Sequence, residues 1–198
     1  HDMLKAYMQQ YYTGSNIVVS VVGNISHGQV VEAVRAALGG VPKGEKNQFP
    51  QAGTAKAGVH CYYKEIAQSQ ICVAMPGVAK EDDRLFPLSN LNTYLGGGMS
   101  ARLVKKIRED EGLAYSVYSC NGSYTDTGAF VISVGTRPDN CQRVIDIILQ
   151  ELEDIRKNGI TEQELKKSFS QLKGSLFMGL ETVNSRMNKL GRSLLSYD

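Results

Sequence analysis

The stretch that decides the fold is Gly96–Tyr118, which reads G-G-G-M-S-A-R-L-V-K-K-I-R-E-D-E-G-L-A-Y-S-V-Y. It predicts a glycine turn, a short basic helix, a glycine stop and then a strand. Ser100 is suited to the N-cap position, because its hydroxyl can accept a hydrogen bond from an unpaired backbone N–H of the first turn. Gly112 is suited to the position after the helix, where a positive φ angle carries no Cβ penalty. The apolar stripe of the helix consists of Leu103, Val104 and Ile107.

This arrangement brings two polar side chains together across a tight turn, Arg108 near the helix end and Tyr115 early in the strand. A guanidinium is a permanent cation with a planar fork of donors, and a phenol is a hydroxyl donor. Such a pair can hold a carbonyl oxygen and stabilise it as it becomes an oxyanion. The residues alone leave a simpler alternative open, in which the arginine meets the helix dipole and the tyrosine is merely half-buried.

The rest of the chain predicts an α+β fold, an antiparallel-rich sheet with helices packed on one face. Residues 1–40 are predicted to end a preceding αβ module, 41–57 to be a linker, and 58–198 to form the C-terminal module. The predicted strands are 17–22, 59–65, 69–75, 113–121 and 128–135. The predicted helices include 3–12, 27–38, 83–95 and 139–157, followed by one that Thr161 and Glu164 cap and by a final helix from Val183 to Leu194.

Bulk composition excludes several classes of partner. The net charge of +2 is too small to indicate nucleic acid or an anionic membrane. No apolar run approaches the roughly 20 residues of a membrane span. The four cysteines, which lack C-x-x-C spacing, are expected to be reduced and mostly packed, as in a cytoplasmic protein. The chain begins at His1 without a methionine, so we expect a piece of a longer protein, and a missing targeting signal proves little.

Two other site types fail on spacing. Met99 and Ser100 follow Gly96–Gly98, where a phosphate-binding loop needs G-K-[S/T], so the glycines predict a connection between helices with positive φ angles. No metal site is expected in this chain, because none of its three histidines forms the H-x-x-E-H pair that places two zinc ligands on one helix face.

The quoted stretch resembles the C-terminal signature of the pitrilysin/insulinase family of zinc peptidases, which includes the mitochondrial processing peptidases. The resemblance extends over nearly the whole chain, since ordered matches are found before and after it. The matching residues are Ser100, Arg102, Leu103, Arg108 and Gly112–Val117 in the signature, Tyr12, Asn16 and Ile17–Gly23 before it, and Thr125–Gly128 and Ile160–Leu165 after it.

The resemblance implies that Tyr115 donates to the developing oxyanion, and that Arg108 neutralises charge and positions the peptide. Gly97, Gly98 and Ser100 would line the chamber wall as substrate-binding residues. Zinc and a glutamate general base would lie in an N-terminal half, in the same chain or in a separate subunit. The parent would be a zinc endopeptidase with peptide substrates, and this chain, which has no cofactor of its own, would be inactive alone.

Two alternatives stay open at this point. The chain could belong to a non-catalytic partner or scaffold subunit of the same family, and upstream residues with or without H-x-x-E-H would discriminate the two. It could also be an unrelated α+β ligand-binding module, which would make the ordered matches coincidence. The chain could also associate with a second copy of itself as a homodimer.

Overall fold

The computed structural model describes residues 1–46 and 50–197. These fall into two compact units, one from His1–Gln51 with Ser175–Asp198 and one from Ala52–Gly174. The helices and strands, in chain order, are α1 (Asp2–Tyr11), α2 (His27–Leu38), β1 (Ser69–Pro76), α3 (Leu85–Leu95), a π-helix (Val104–Asp110), β2 (Ala114–Ser123), β3 (Gly128–Thr136), α4 (Cys141–Asn158), α5 (Glu162–Met178) and α6 (Val183–Tyr197).

The predicted module boundaries concern the parent protein and stay a prediction. Residues 47–49 of the predicted linker lie outside the described residues. Among the described residues, no helix is both long enough and apolar enough to cross a membrane.

The fold is α+β, as predicted. The described strands form a three-stranded antiparallel sheet in the order β1-β3-β2, with β3 in the centre. Residues 69–75, 113–121 and 128–135 were each predicted as strands, and the structure confirms them to within two residues at each end. The hairpin between β2 and β3 closes through the backbone N–H of Tyr124, which donates to the Thr127 carbonyl at 2.8 Å.

One face of the sheet forms the core of the second unit. Side chains of β1 alternate between the core and solvent, and the central strand sends Phe130, Ile132 and Val134 inward, where all are buried. Helices α3 and α4 and the π-helix cover this face with Leu95, Leu103, Ile107, Val144, Ile147 and Ile148, which are also buried. Removing this apolar surface from water stabilises the unit and fixes where the π-helix lies relative to β2.

Two predicted strands are absent. Residues 17–22 and 59–65 have no sheet partner among the described residues. A β-branched run favours an extended backbone, but its N–H and C=O groups form a strand only when a neighbour pairs with them. Val59, Tyr62 and Tyr63 are at least 90% exposed, so no apolar surface holds that segment against the sheet.

Two of the predicted helices, α2 and α5, begin with a capping box. Of these two boxes, the sequence predicted only the second. In the second, Thr161 Oγ1 donates to Glu164 Oε2 at 2.6 Å and accepts from the Glu164 backbone N–H at 3.4 Å. These bonds to Thr161 hold the pKa of Glu164 below its usual value. Ser26 and Gln29 form the same motif before α2.

All four cysteines are free, as predicted, but the expectation that most are packed is wrong. Cys61, Cys72 and Cys120 are exposed and Cys141 is half-buried. Cys72 and Cys120 lie on the sheet face opposite the core, where alternation along their strands places them.

Candidate functional site

The basic helix of the quoted stretch has π geometry over Val104–Asp110. After it, the backbone N–H of Glu111 donates to the Lys106 carbonyl, five residues earlier, at 3.3 Å. The predicted apolar stripe is confirmed, since Leu103, Val104 and Ile107 are buried. The predicted N-cap is wrong, because helical geometry begins at Arg102, two residues after Ser100, and no side chain caps the helix. π-Helical turns are rare and are frequently found at functional sites.

Gly112 ends this helix as predicted. Its φ angle is +61°, and no described atom lies within 4 Å of the place where its Cβ would be. The requirement for glycine is therefore conformational rather than steric. After it, the Leu113 backbone N–H donates to the Ile107 carbonyl at 2.9 Å, which fixes the turn between the π-helix and β2.

Tyr115 is the extra residue of a β-bulge. Ala114 pairs with Thr136 and Ser116 pairs with Gly135, so Tyr115 has no partner of its own on β3. The bulge interrupts the alternation: Ala114 is buried, while Tyr115 and Ser116 are both exposed. A bulge re-aims a side chain and is over-represented next to active sites. Here it turns the phenol toward solvent at the start of the strand.

The structure brings Arg108 and Tyr115 together, as the sequence predicts. The Cζ atom of Arg108 lies 5.0 Å from the centroid of the Tyr115 ring, a cation–π distance. The Arg108 guanidinium also lies 3.7 Å from Met99 Sδ. Tyr115 is 79% exposed, and its hydroxyl makes no hydrogen bond to a described residue. Both groups can therefore meet a ligand above the bulge.

Arg102 holds the start of this helix in place. It forms ion pairs with Glu151 and Asp154 of α4, and its Nη1 donates to the hydroxyl of Tyr94 at 2.7 Å. Tyr94 in turn donates to Glu164 at 3.0 Å, so α3, α4 and α5 are joined through one guanidinium. Burial alone would lower the pKa of Arg102, but its bonds to Tyr94, Asp154 and Glu151 outweigh that and raise it. The S-x-R-L match was the only sequence signal for this role.

Two of the three glycines before the helix are required for a different reason from the one predicted. The described glycines with positive φ are Gly44, Gly112 and Gly159, so the expectation of positive φ at Gly96–Gly98 is wrong. A Cβ at Gly97 would lie 2.8 Å from Thr93 Cα. A Cβ at Gly98 would lie 2.4 Å from Gln171 Nε2. A Cβ at Gly96 would lie 2.5 Å from the backbone nitrogen of Ser119 in β2, so Gly96 and Gly97 are required by close backbone approach, whereas the neighbour of Gly98 is the end of a flexible side chain.

Ser100 lies apart from the Arg108–Tyr115 pair in one respect. It lines a cavity of about 320 Å³ together with Arg102, Lys105, Lys167 and Gln171, and neither member of the pair lines it. Gly98 contacts Gln171, one of the lining residues. The structure therefore groups the glycine turn and Ser100 with α5, and their predicted substrate contacts stay a prediction.

The described residues do not fit a zinc site. Over residues 1–46 and 50–197, no three histidine, cysteine, aspartate or glutamate side chains converge as ligands. His1, His27 and His60 are all exposed.

Comparison with known proteins places the chain in a family. The model of the family described as "Peptidase M16 inactive domain" matches residues 1–172. An uncharacterized zinc protease of Bacillus subtilis is 38% identical over 98% of this chain, and one of Streptomyces coelicolor is 37% identical over 99%. The chain spans 47% and 44% of the length of these two relatives.

Solved structures agree. The crystal structure of a peptidase M16 inactive domain from Pseudomonas fluorescens matches 96% of this chain with a TM-score of 0.86 and 26% identity. A protease from Helicobacter pylori matches the whole chain with a TM-score of 0.84, and its 21% identity supports the fold alone.

Proposed function

Because this chain belongs to the family of peptidase M16 inactive domains, we propose that it is the substrate-binding and oxyanion-stabilising part of a zinc-dependent endopeptidase. The observation that carries the proposal is the contact between Arg108 and Tyr115, with the tyrosine presented on a bulge. The related chains from Bacillus and Streptomyces are named zinc proteases, which supports the reaction class.

The proposed chemistry is electrostatic. As water attacks a peptide carbonyl, its oxygen gains negative charge, and the Tyr115 hydroxyl donates a hydrogen bond to that oxygen. The Arg108 guanidinium lies over the tyrosine ring at 5.0 Å, so its positive charge acts on the same oxyanion while its remaining donors hold the peptide. A donor that meets charge only as it develops lowers the barrier more than it strengthens substrate binding.

In this proposal the metal and the attacking water come from outside this chain. We propose an N-terminal zinc-binding half as the partner, in the same protein or in another subunit. Residues 17–22 support such a partner: side chains 18–22 alternate in exposure, Val19 and Val21 are 45% and 49% exposed, and no described strand pairs with the segment. In this proposal residues 1–40 complete a preceding module of the parent, and the chain is inactive alone.

The test is zinc-dependent cleavage of a quenched fluorescent peptide by the full-length protein, with Tyr115→Phe compared with the wild type. Loss of one oxyanion donor is expected to lower kcat by about 10²- to 10³-fold while the zinc content stays the same. Tyr118→Phe is the matched control, because Tyr118 is a half-exposed tyrosine on the same strand, and its kcat should be normal.

Normal kcat in Tyr115→Phe would make the bulge tyrosine structural and remove the proposal. An equal loss in Tyr118→Phe would do the same, because it would show that any phenol on this strand matters. Cleavage by the isolated 198-residue chain, with no other half present, would contradict the assignment of the metal to a partner.

A further inference from the structure

The sheet face opposite the core carries a second polar feature beside Tyr115. In β3 the side chain of Val134 is buried in the core, so Gly135 faces the other side of the sheet. The same alternation places Gln70 of β1 on that face, since Ile71 packs against the core. Gln70, Gly135 and Ser116 lie in line across the three strands, because Gly135 pairs with both of the others.

Two glutamine side chains cover Gly135. The position of a Cβ on Gly135 lies 3.1 Å from Gln70 Nε2 and 3.3 Å from Gln68 Oε1. No positive φ is found at Gly135, so backbone conformation does not require glycine there; its lack of a Cβ lets the two carboxamides lie against the strand. The result is an exposed polar patch in which two carboxamides lie over the backbone of the central strand.

This site is adjacent to the bulge. Ser116 is the strand partner of Gly135, and Tyr115 directly precedes Ser116 in the chain. Paired antiparallel Cα atoms are about 4.5–5.5 Å apart and consecutive ones about 3.8 Å, so the Cα atoms of Tyr115 and Gly135 are within about 9 Å. That distance is comparable to about three residues of an extended chain, at roughly 3.3 Å each.

Both carboxamides are free to bind a ligand. Neither Gln68 nor Gln70 makes a side-chain hydrogen bond to a residue in 1–46 or 50–197, and both are exposed. Each carboxamide has two N–H donors and two acceptor lone pairs. A peptide backbone presents the complementary groups, one N–H and one C=O on each residue other than proline. Uncharged carboxamides suit the backbone of a peptide ligand. A site for a charged side chain of the ligand would instead be expected to contain a lysine or a carboxylate.

We infer that Gln68 and Gln70, over Gly135, form a subsite that binds the main chain of the peptide substrate a few residues from the bond held at Tyr115. The inference rests on the proposed function for the identity of the ligand. It adds that the ligand is held through its backbone, so side-chain identity at this position matters little for affinity.

The experiment measures KM and kcat of the full-length protein for the quenched peptide, and the Kd of the same peptide when a chelator prevents cleavage. Each neutral hydrogen bond contributes about 0.5–1.5 kcal/mol, so loss of one from each carboxamide in Gln68→Ala/Gln70→Ala should raise Kd and KM by about 5- to 150-fold, with kcat unchanged. Gln163→Ala is the control, since Gln163 is an exposed glutamine at the start of α5, and it should change nothing.

Gly135→Ala tests the same site without touching either glutamine. Its methyl group would lie 3.1 Å from the Gln70 amide, so the carboxamides must move away, and KM and Kd should rise while the melting temperature stays near that of the wild type. Replacing the side chain of the peptide residue bound there should change Kd by less than the double glutamine variant does.

The outcomes separate this inference from the proposed function. Unchanged Kd and KM in both Gln68→Ala/Gln70→Ala and Gly135→Ala overturn the subsite, even if Tyr115→Phe is slow. A fall in kcat with unchanged Kd overturns it too, because it would assign these residues to the chemical step. Weaker binding in both variants with normal kcat in Tyr115→Phe keeps the subsite and removes the oxyanion role.

Discussion

The largest loss of stability is expected when Arg102 is replaced, because its guanidinium joins the start of the helix that bears Arg108 to α3, α4 and α5. Arg102→Ala removes ion pairs to Glu151 and Asp154 and the 2.7 Å hydrogen bond to Tyr94. The Glu151 side chain is only 14% exposed, so the substitution leaves a largely buried carboxylate without its cation. This orphaned charge, more than the lost attraction, determines the cost.

The expected magnitude lies between two limits. Breaking a buried ion pair costs about 3–5 kcal/mol, whereas an exposed pair contributes about 0–1 kcal/mol. Arg102 is 27% exposed and Asp154 is 41% exposed, which places the site between them. We expect Arg102→Ala to lower the free energy of unfolding by about 2–3 kcal/mol, or the melting temperature by roughly 4–12 °C for a chain of this size.

Thermal and urea unfolding of the purified chain, followed by circular dichroism, measures this loss. Arg156→Ala is the matched control on α4, the helix that carries Glu151 and Asp154, since Arg156 pairs with Glu153 at 70% and 44% exposure and its loss should cost less than about 1 kcal/mol. Adding Glu151→Gln to Arg102→Ala should restore part of the stability by removing the orphaned charge. If Arg102→Ala costs no more than Arg156→Ala, or if Glu151→Gln makes it worse, the reasoning is refuted.

Two further predictions concern the end of the π-helix. Gly112→Ala should cost about 1–2 kcal/mol of stability, because a Cβ is disfavoured at φ +61°. Gly174→Ala inside α5 is the control and should stabilise the chain by about 0.5–1 kcal/mol. Urea unfolding of both variants measures these changes, and unchanged stability in Gly112→Ala would contradict the prediction. Arg143 binds Glu111 at 2.5 and 2.9 Å and holds the pKa of that carboxyl below 4.5. The ion pair stabilises the folded chain above pH 4.5, and this stabilisation is lost as the pH falls through the lowered folded-state pKa of Glu111. Arg143→Ala should therefore raise the pKa of Glu111 in a carboxyl NMR titration and make stability depend less on pH in the acidic range. An unchanged pKa would show that Arg143 is not the cause of the shift.

Local sequence signals predicted the regular parts of the fold and one turn. Gly112 was identified from its place after an apolar stripe, and the Thr161 capping box from its spacing, because both depend only on neighbours along the chain. The strand at residues 17–22 was predicted from the same kind of signal and is absent, because a strand also requires a partner that no described residue provides.

Long-range packing was not predictable in this way. The glycines at 97 and 98 looked like turn residues, but the structure uses them to let Thr93 and Gln171 come close, and neither contact has a sequence signature. The same is true of Arg102, whose partners Glu151 and Asp154 are about 50 residues further along the chain.

The π-helix and the β-bulge of the second unit carry the two residues of the proposed site. The sequence predicted a helix and a strand there but neither irregularity. The stripe Leu103, Val104 and Ile107 fits an α-helix, yet the helix that bears Arg108 is π. The alternation after Gly112 fits a regular strand, yet Tyr115 occupies a bulge. Each irregularity disrupts regular backbone pairing, and each changes the direction of one side chain.

Core packing gives a reason for the bulge but not for the pair. If this stretch ran as a regular strand without the bulge, Ala114 and Val117, three residues apart, would face opposite sides of the sheet; with the bulge, Ala114 is buried in the core and Val117 packs against the core. That requirement alone would be met by any residue at 115, including a small one. A large phenol placed under the Arg108 guanidinium, with its hydroxyl unbonded to any described residue, needs a second reason, and we propose that this reason is the stabilisation of charge on a substrate oxygen.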